Sequence, residues 1–449
     1  MAVEELVGAL PAGWEYTTLG EACARAGGDV QTGPFGSQLH AADYVSRGIP
    51  SIMPQNIGDN RVVRDGIAQI TVEDAERLNR YRVRTGDIVY SRRGDVERRA
   101  LIRDAEDGWL CGTGCVRLRF GDEHVNPTFA SYYLGDPNVR EWIVRHAHGA
   151  TMPNLNTTIL SALPFVLPPL DEQRAIAQIL GTLDDKIELN RRMNETLEAM
   201  ARAIFKSWFV NFDPVRAKAE GRDPGLPKHI ADLFPDRFED SELGEVPKGW
   251  EVETLADFSL LNPEAWTKET RPAVINYVDL SNTKWGRIEA VMAYAQHDTP
   301  SRAQRVLRPR DTIVGTVRPS NGSYAFISEE GLTGSTGFAV LRPLSAEYAE
   351  FVYLAATAAE NIESLSHLSD GGAYPAVRPE VVAATQVIKA SDDVIEICSR
   401  LARPLLAKMA ENERESRTLA ALRDVLLPKL ISGELRMKTA ERIVAEVDV

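Results

Sequence analysis

The sequence predicts an α+β fold: two mixed α/β domains joined by two long antiparallel coiled-coil helices, arranged as a pseudo-two-fold internal repeat. Three observations predict it. The opening PAGWEYTTL, Pro11 to Leu19, is restated as PKGWEVETL from Pro247 to Leu255. Further matched stretches follow each opening in the same order. Each half then ends in a long segment whose apolar residues recur at alternating intervals of three and four. A chain of 449 residues also exceeds what one core holds, so two or three domains are expected.

The matched stretches justify the elements of each domain in turn. VRTGDIVYSRRG (Val83 to Gly94) answers to LRPRDTIVGTVRP (Leu307 to Pro319), with Asp87 opposite Asp311. Each has a turn, a β-branched run and then arginine, the pattern of a strand that delivers a basic loop. TGCVRLRF (Thr113 to Phe120) answers to TGFAVLRP (Thr336 to Pro343), again strand-like. HGATMPNLN (His148 to Asn156) answers to DGGAYPAVR (Asp370 to Arg378), and Pro153 lies 222 residues before Pro375. That period is far too long for a solenoid repeat.

The offset of 222 persists through the long segments, where Lys186, Asn190, Thr196 and Leu197 match Lys408, Asn412, Thr418 and Leu419. In the first, Ile176, Ile179, Leu183, Lys186, Asn190, Met193, Leu197, Met200 and Ile204 form a heptad seam. Cys398, Leu401, Leu405, Lys408, Asn412, Glu415, Leu419, Leu422 and Leu426 repeat it in the second. PPLDEQRAI opens the first helix with prolines and early acids, and SDDVIEI opens the second, with Asp393 and Glu396 as a capping box. Pro404 is expected to kink the second helix or delay its start. Polar residues in mid-seam fix register at some cost in stability. Helices of roughly 33 residues would span about 50 Å. The resulting boundaries are 1–168 for the first domain, 169–210 for its helix, 211–246 for a linker, 247–390 for the second domain, 391–433 for its helix and 434–449 for a tail.

The net charge of −14 conceals two basic segments. Arg77 to Arg103 holds nine arginines against three acids, and Arg302 to Arg318 holds five against Asp311 alone. One such segment fits a solvated surface equally well; two at matching places favour a polyanionic partner. No apolar run approaches a membrane span, and the acidic start MAVEELVGALPAG lacks the features of a secretory signal. Cys23, Cys111, Cys115 and Cys398 form no dense framework, which suits a reducing cytoplasm.

Catalytic signatures are missing. There is no G-x-x-x-x-G-K-[ST] phosphate loop, no G-x-G-x-x-G, and no N/D-P-P-Y/F stretch for amine methylation; NPTF at Asn126 departs from the last at its third position. Cys111 and Cys115 have no second pair at zinc spacing. His146 and His148 read as a surface loop, and the methionine and aromatic face of RRMNETLEAMARAIFKSWF reads as packing.

A duplicated, two-fold chain matches the dyad of duplex DNA, with one reader per half-site and helices to set the gap. Arginine grips phosphate and also bonds guanine edges. The candidates after the first basic strand are Arg92, Arg93, Arg98 and Arg99, and Arg318, Ser320 and Asn321 hold the matching place. QTGPFGSQL offers Gln31, Ser37 and Gln38 on a glycine-rich loop, and MPQNIG offers Gln55 and Asn56; a structural turn fits both as well. Thr151, Asn154 and Tyr374 lie before the helices, where they face the groove or cap the junction.

These stretches resemble a known family, the specificity subunits of type I restriction–modification enzymes. ALPFVLPPLDEQRAIAQILGTLDDKIELNRRMNETLEAMARAIFKSWFVNF is similar to the family's central conserved region, and TLAALRDVLLPKLISGELRM to its carboxy-terminal one. GPFGSQL and GDIVYSRRG resemble stretches of its target-recognition domains. The likeness covers nearly the whole chain, but LLNPEAWTK stands where the second GPFGS-like loop is expected, so that loop is not placed by analogy. The resemblance implies a non-catalytic subunit whose two target-recognition domains read a split, asymmetric DNA sequence across a helical spacer. It implies two methyltransferase subunits as partners, which use S-adenosylmethionine to methylate adenine. Nuclease subunits that use ATP and magnesium join them in complete systems, and no cofactor is expected in this chain. Two other classes remain open on the residues alone. A stand-alone two-headed DNA-binding regulator would bind tightly without a methyltransferase, and a protein-binding scaffold would show no sequence-selective retention of DNA.

Overall fold

The computed structural model describes residues 10–25, 27–121, 124–149, 153–241, 244–267, 269–370, 372, 375–436, 439–440 and 442. The chain divides into two compact units, 1–189 with 415–449, and 190–414. The long helix α1 (Leu170–Phe209) and the long helix α2 (Asp392–Ile431) each contribute residues to both. At 40 residues, each is longer than the heptad pattern suggested, about 60 Å at 1.5 Å per residue.

Each unit is built on the same plan. In unit 1 a five-stranded sheet runs in the order Asp29–Thr32, Cys115–Arg119, Ile88–Ser91, Arg99–Leu101, Asp59–Asn60. Unit 2 repeats it as Ser259–Leu261, Phe338–Pro343, Thr312–Gly315, Tyr324–Phe326, and Gly286 takes the fifth place by a parallel bridge to Ala325. A second, four-stranded sheet in each unit contains one parallel pairing, Ile49–Ile52 with Leu110–Cys111 in the first and Val274–Val278 with Leu332–Ser335 in the second. The repeated openings form matching edge ribbons: Glu15–Thr18 pairs antiparallel with Pro164–Leu167, and Glu251–Thr254 with Gln386–Lys389. The tryptophan of each opening is buried, and the Trp14 indole N–H donates to Glu172 at the start of α1 at 3.1 Å.

The two matched aspartates explain why both halves keep a TGD- or PRD-type turn before a basic strand. Asp87 is 2% exposed, accepts the Arg84 amide at 2.8 Å and holds Arg119 by two bonds of 2.8 and 2.6 Å. Asp311 is fully buried, accepts the Arg308 amide at 2.8 Å and holds Arg342 by two bonds of 2.9 Å. The bidentate carboxylate raises the pKa of both arginines, as expected for charge-assisted bonds in a largely desolvated site.

α1 and α2 pack antiparallel within each unit, and the seam differs from the one the spacing suggests. In unit 1 Arg423 bonds Asp184 at 2.8 Å and Lys186 meets Glu415 at 3.4 Å; in unit 2 Asn190 and Asn194 donate to the Asn412 and Met409 carbonyls at 3.3 and 3.2 Å. Ile176, Leu183, Asn190, Leu197 and Ile204 are buried or partly buried, and so are Leu405, Asn412, Leu419 and Leu426. The alternate positions lie one residue further on: Leu180, Ile187, Asn194, Ala201 and Trp208, and Ala402, Met409, Ser416, Arg423 and Leu430. Met193, Met200 and Leu401, expected in the seam, are 37, 50 and 40% exposed, while Ile179 is buried beside it. Both choices keep a 3.5-residue average. Asn194 wins over Met193 because its amide also accepts from Asn412 Nδ2 at 2.8 Å, which satisfies the buried polar group. Ala201 and Ala402 take less space between the helices than methionine or leucine.

Two expectations at the second helix are corrected. It starts at Asp392, so Asp393 lies within its first turn and is not a cap. It also runs through Pro404 unbroken; that residue is exposed, where water can satisfy the carbonyl the ring leaves unpaired. Among the described residues no helix is long and apolar enough to cross a membrane.

Candidate nucleic-acid interface

In unit 1 three separate sequence segments meet at one loop cluster. The strand Ile88–Ser91 delivers Arg92, whose amide bonds the Gly114 carbonyl and whose carbonyl accepts the Leu155 amide, each at 2.8 Å. Gly94 donates to Pro153 at 3.1 Å, Arg93 forms a bridge to Asn154, and Asn154 pairs with His148 by bonds of 3.1 and 2.7 Å. The third segment is the glycine-rich loop. Gly33 lies so close to Gly112 that a Cβ would fall 2.0 Å from its carbonyl oxygen, which explains the glycine there. Beyond it Phe35 is 54% exposed, with the Arg92 guanidinium 5.8 Å from its ring centre.

The exposed side chains of this cluster are Arg93, Ser37 and Phe35, with Arg92 half-buried. Arg93 forms no ion pair with any described residue. Other candidates do structural work. Gln31 lies within the edge strand Asp29–Thr32, opposite Arg117, not on the loop. Gln38 accepts the Phe35 amide at 3.2 Å and the Tyr81 hydroxyl at 2.8 Å, so its amide oxygen folds the loop. Asn56 is fully buried and bonds the Met53 amide and the Val63 and Asp65 carbonyls, leaving only its neighbour Gln55 exposed. Arg99 is 6% exposed, donates to the Ser131 carbonyl at 2.6 Å, and has its pKa lowered by burial. Arg98 is exposed but paired with Asp95 at 2.5 Å. Thr151 lies outside the described residues.

Unit 2 repeats the backbone of this cluster with different side chains. The Thr316 amide bonds the Gly337 carbonyl at 2.8 Å, Val377 donates to Thr316 at 2.9 Å, and Arg318 donates to Pro375 at 2.8 Å. Val317 bridges to Ala376, which pairs with Asp370 as Asn154 does with His148. Thr316 and Val317 therefore stand where Arg92 and Arg93 stand, and Arg318 occupies the place of Gly94. Both take the left-handed conformation, with φ of +47° and +74°. Arg318, Ser320 and Asn321 are exposed around a short helical turn. Tyr374 lies outside the described residues. The LLNPEAWTK stretch proves structural: Glu264 pairs with Arg308 at 3.0 Å and with Arg342, and the Trp266 indole donates to Thr333 at 2.9 Å.

The sequence reading missed two exposed aromatics here, Phe35 and Trp285, which is 56% exposed and donates its amide to Gly322 at 2.6 Å. For Trp285 the signal was the KWGR tetrapeptide between two short strand-like runs. Among the described residues no three His, Cys, Asp or Glu are grouped to hold a metal ion, and burial pushes the Cys111 thiol up to about 12.

A duplicated pair of loop-bearing units that share two long helices, each with exposed side chains on its loops, is an arrangement that suits recognition. Residues 11–199 match the family described as the type I restriction modification DNA specificity domain. Over 447 residues the chain is 26% identical to the type I restriction enzyme HindI specificity subunit of Haemophilus influenzae, covering 86% of this chain and 95% of that one. It is 20% identical to the MjaIX specificity subunit of Methanocaldococcus jannaschii, covering 96% of each. The crystal structure of the type I restriction–modification S subunit from M. genitalium shares the fold at a TM-score of 0.56 and 15% identity, covering 94% of this chain and 96% of that one. In sequence over residues 11–199, and in its curated relatives, the chain is similar to the specificity subunits of type I restriction–modification enzymes.

Proposed function

We propose that this chain reads a bipartite, asymmetric DNA target, one half-site per unit, and docks two methyltransferase subunits, to which two nuclease subunits attach in a complete system. The methyltransferase carries S-adenosylmethionine, the nuclease carries ATP and magnesium, and the chain works in the cytoplasm with no cofactor of its own. One observation carries the reading. The same backbone hydrogen bonds present Arg92, Arg93 and Gly94 in unit 1 and Thr316, Val317 and Arg318 in unit 2. A shared frame with diverged contact residues suits two different half-sites. The net charge of −14 supports a partner that supplies many of the phosphate contacts.

The test is a genome-wide map of methylated adenines in the source cell with and without the gene. A split, asymmetric motif should lose methylation when the gene is deleted; an unchanged map would sink the reading. Replacing Arg92 and Arg93 together with alanine should relax or abolish reading of one half-site only, at about 1–3 kcal/mol for each base-reading pair lost. The check is the methylation motif of the variant. Equal degeneration of both halves would mean that the pair acts through folding or general charge.

A further inference from the structure

Unit 2 carries an exposed indole on a hairpin that the fold does not require to be aromatic. All seven tryptophans are among the described residues, and Trp285 is the only one more than half exposed, at 56%. It sits at the tip of the hairpin Thr283–Lys284 with Arg287–Ile288, where Trp285 and Gly286 both take left-handed backbone, φ +49° and +82°. A turn of this kind favours asparagine, aspartate or glycine at its first position, so a tryptophan is held there against preference. The indole is also seated. A Cβ on Gly322 would fall 2.6–2.7 Å from three of its ring carbons, and the Tyr324 ring meets it edge-on at 6.1 Å and 88°. Lys284 and Arg287 flank it, both exposed and ion-paired with no described residue.

The counterpart in unit 1 has the same frame and opposite chemistry. Ile57 pairs with Val62 as Thr283 does with Ile288, and Asn60 lies parallel to Ala100 as Gly286 does to Ala325. Its tip is Asp59 and Asn60, with Asp59 4.0 Å from Arg99, and its arginine, Arg61, is tied to Glu188 of α1 at 2.9 Å. That tip stays exposed at Asp59 and Arg61, but it offers an acid and a cation already paired, with no aromatic face. The hairpin of unit 2 offers an aromatic face between two uncommitted cations, against the segment that bears Arg318, Ser320 and Asn321. Cations match phosphates, and an indole face matches the sugars and bases between them.

We propose that this hairpin is a second DNA-contact element of unit 2, in which Trp285 lies against the duplex and Lys284 and Arg287 meet phosphates. The inference rests on the DNA-reading function proposed above. The test uses the full chain assembled with its methyltransferase partner and a duplex carrying the motif found by the methylation map. W285A should weaken binding about ten-fold or more, and W285F by much less. The loss should fall on one half-site. G322A, which pushes the indole off its seat, should behave like W285A. Replacing Lys284 and Arg287 with glutamine should reduce the slope of log affinity against log salt by about two. Fluorescence of the wild type should change on adding the duplex, and that change should vanish in W285F. Wild-type affinity and half-site preference in W285A, with the wild type binding its target, would overturn the hairpin proposal alone. Failure of the wild-type assembly to select the target would overturn the DNA-reading function and the hairpin with it.

Discussion

Asp87→Ala should destabilise unit 1 by about 3–5 kcal/mol, because it leaves a largely buried guanidinium without its carboxylate. Arg119 is only 21% exposed and gives two hydrogen bonds to Asp87, and its remaining protein acceptor is the Arg82 carbonyl at 3.0 Å. The same substitution frees the Arg84 amide, which closes the turn before the basic strand. Arg117 lies 4.0 Å from Asp87 but keeps its own bonds to Asp29, so the damage should centre on Arg119. Urea unfolding measures the effect as a lowered midpoint. Asp311→Ala should cost less, because Arg342 also pairs with Glu264. A loss below about 1 kcal/mol at Asp87 would place this pair with surface ion pairs.

Inserting one heptad into both long helices should lengthen the gap between the two half-sites by about three base pairs and leave the half-sites unchanged. Seven residues add about 10.5 Å of helix, and duplex DNA rises about 3.4 Å per base pair. The insertion belongs after Thr196 and Thr418, repeating Asn190–Thr196 and Asn412–Thr418, which keeps the seam in phase. One helix alone should fail, since the bonds of Asn190 and Asn194 to α2 would lose register. The methylation motif of the variant reads the result directly. An unchanged gap would mean that the helices join the units without measuring the distance.

Much of this architecture was legible because repetition in sequence reports repetition in structure without any knowledge of contacts. The doubled opening, the paired aspartates and the 222-residue offset each correspond to an element present in both units. The candidate site was legible only in part. Arginine density singled out the loop after the strand Ile88–Ser91, yet Arg99 folds inward to Ser131 while Arg93 faces out, and a strand-to-loop boundary separates those fates. Asn56 and Gln38 carry groups suited to adenine but spend them on backbone amides and carbonyls. A polar side chain in a list of residues does not disclose its partner.

The sequence by itself determined that there are two copies of one mixed fold, each followed by a long heptad helix, because composition and period are properties of the chain alone. Only the tertiary structure decided which residue of each adjacent pair enters the seam. Asn194 and Ala201 displaced Met193 and Met200 through a bonded amide and a smaller side chain, a choice settled by the facing helix. It also decided that Trp285 stands open on a glycine while the other tryptophans are buried or partly covered, since exposure depends on what the rest of the chain leaves uncovered.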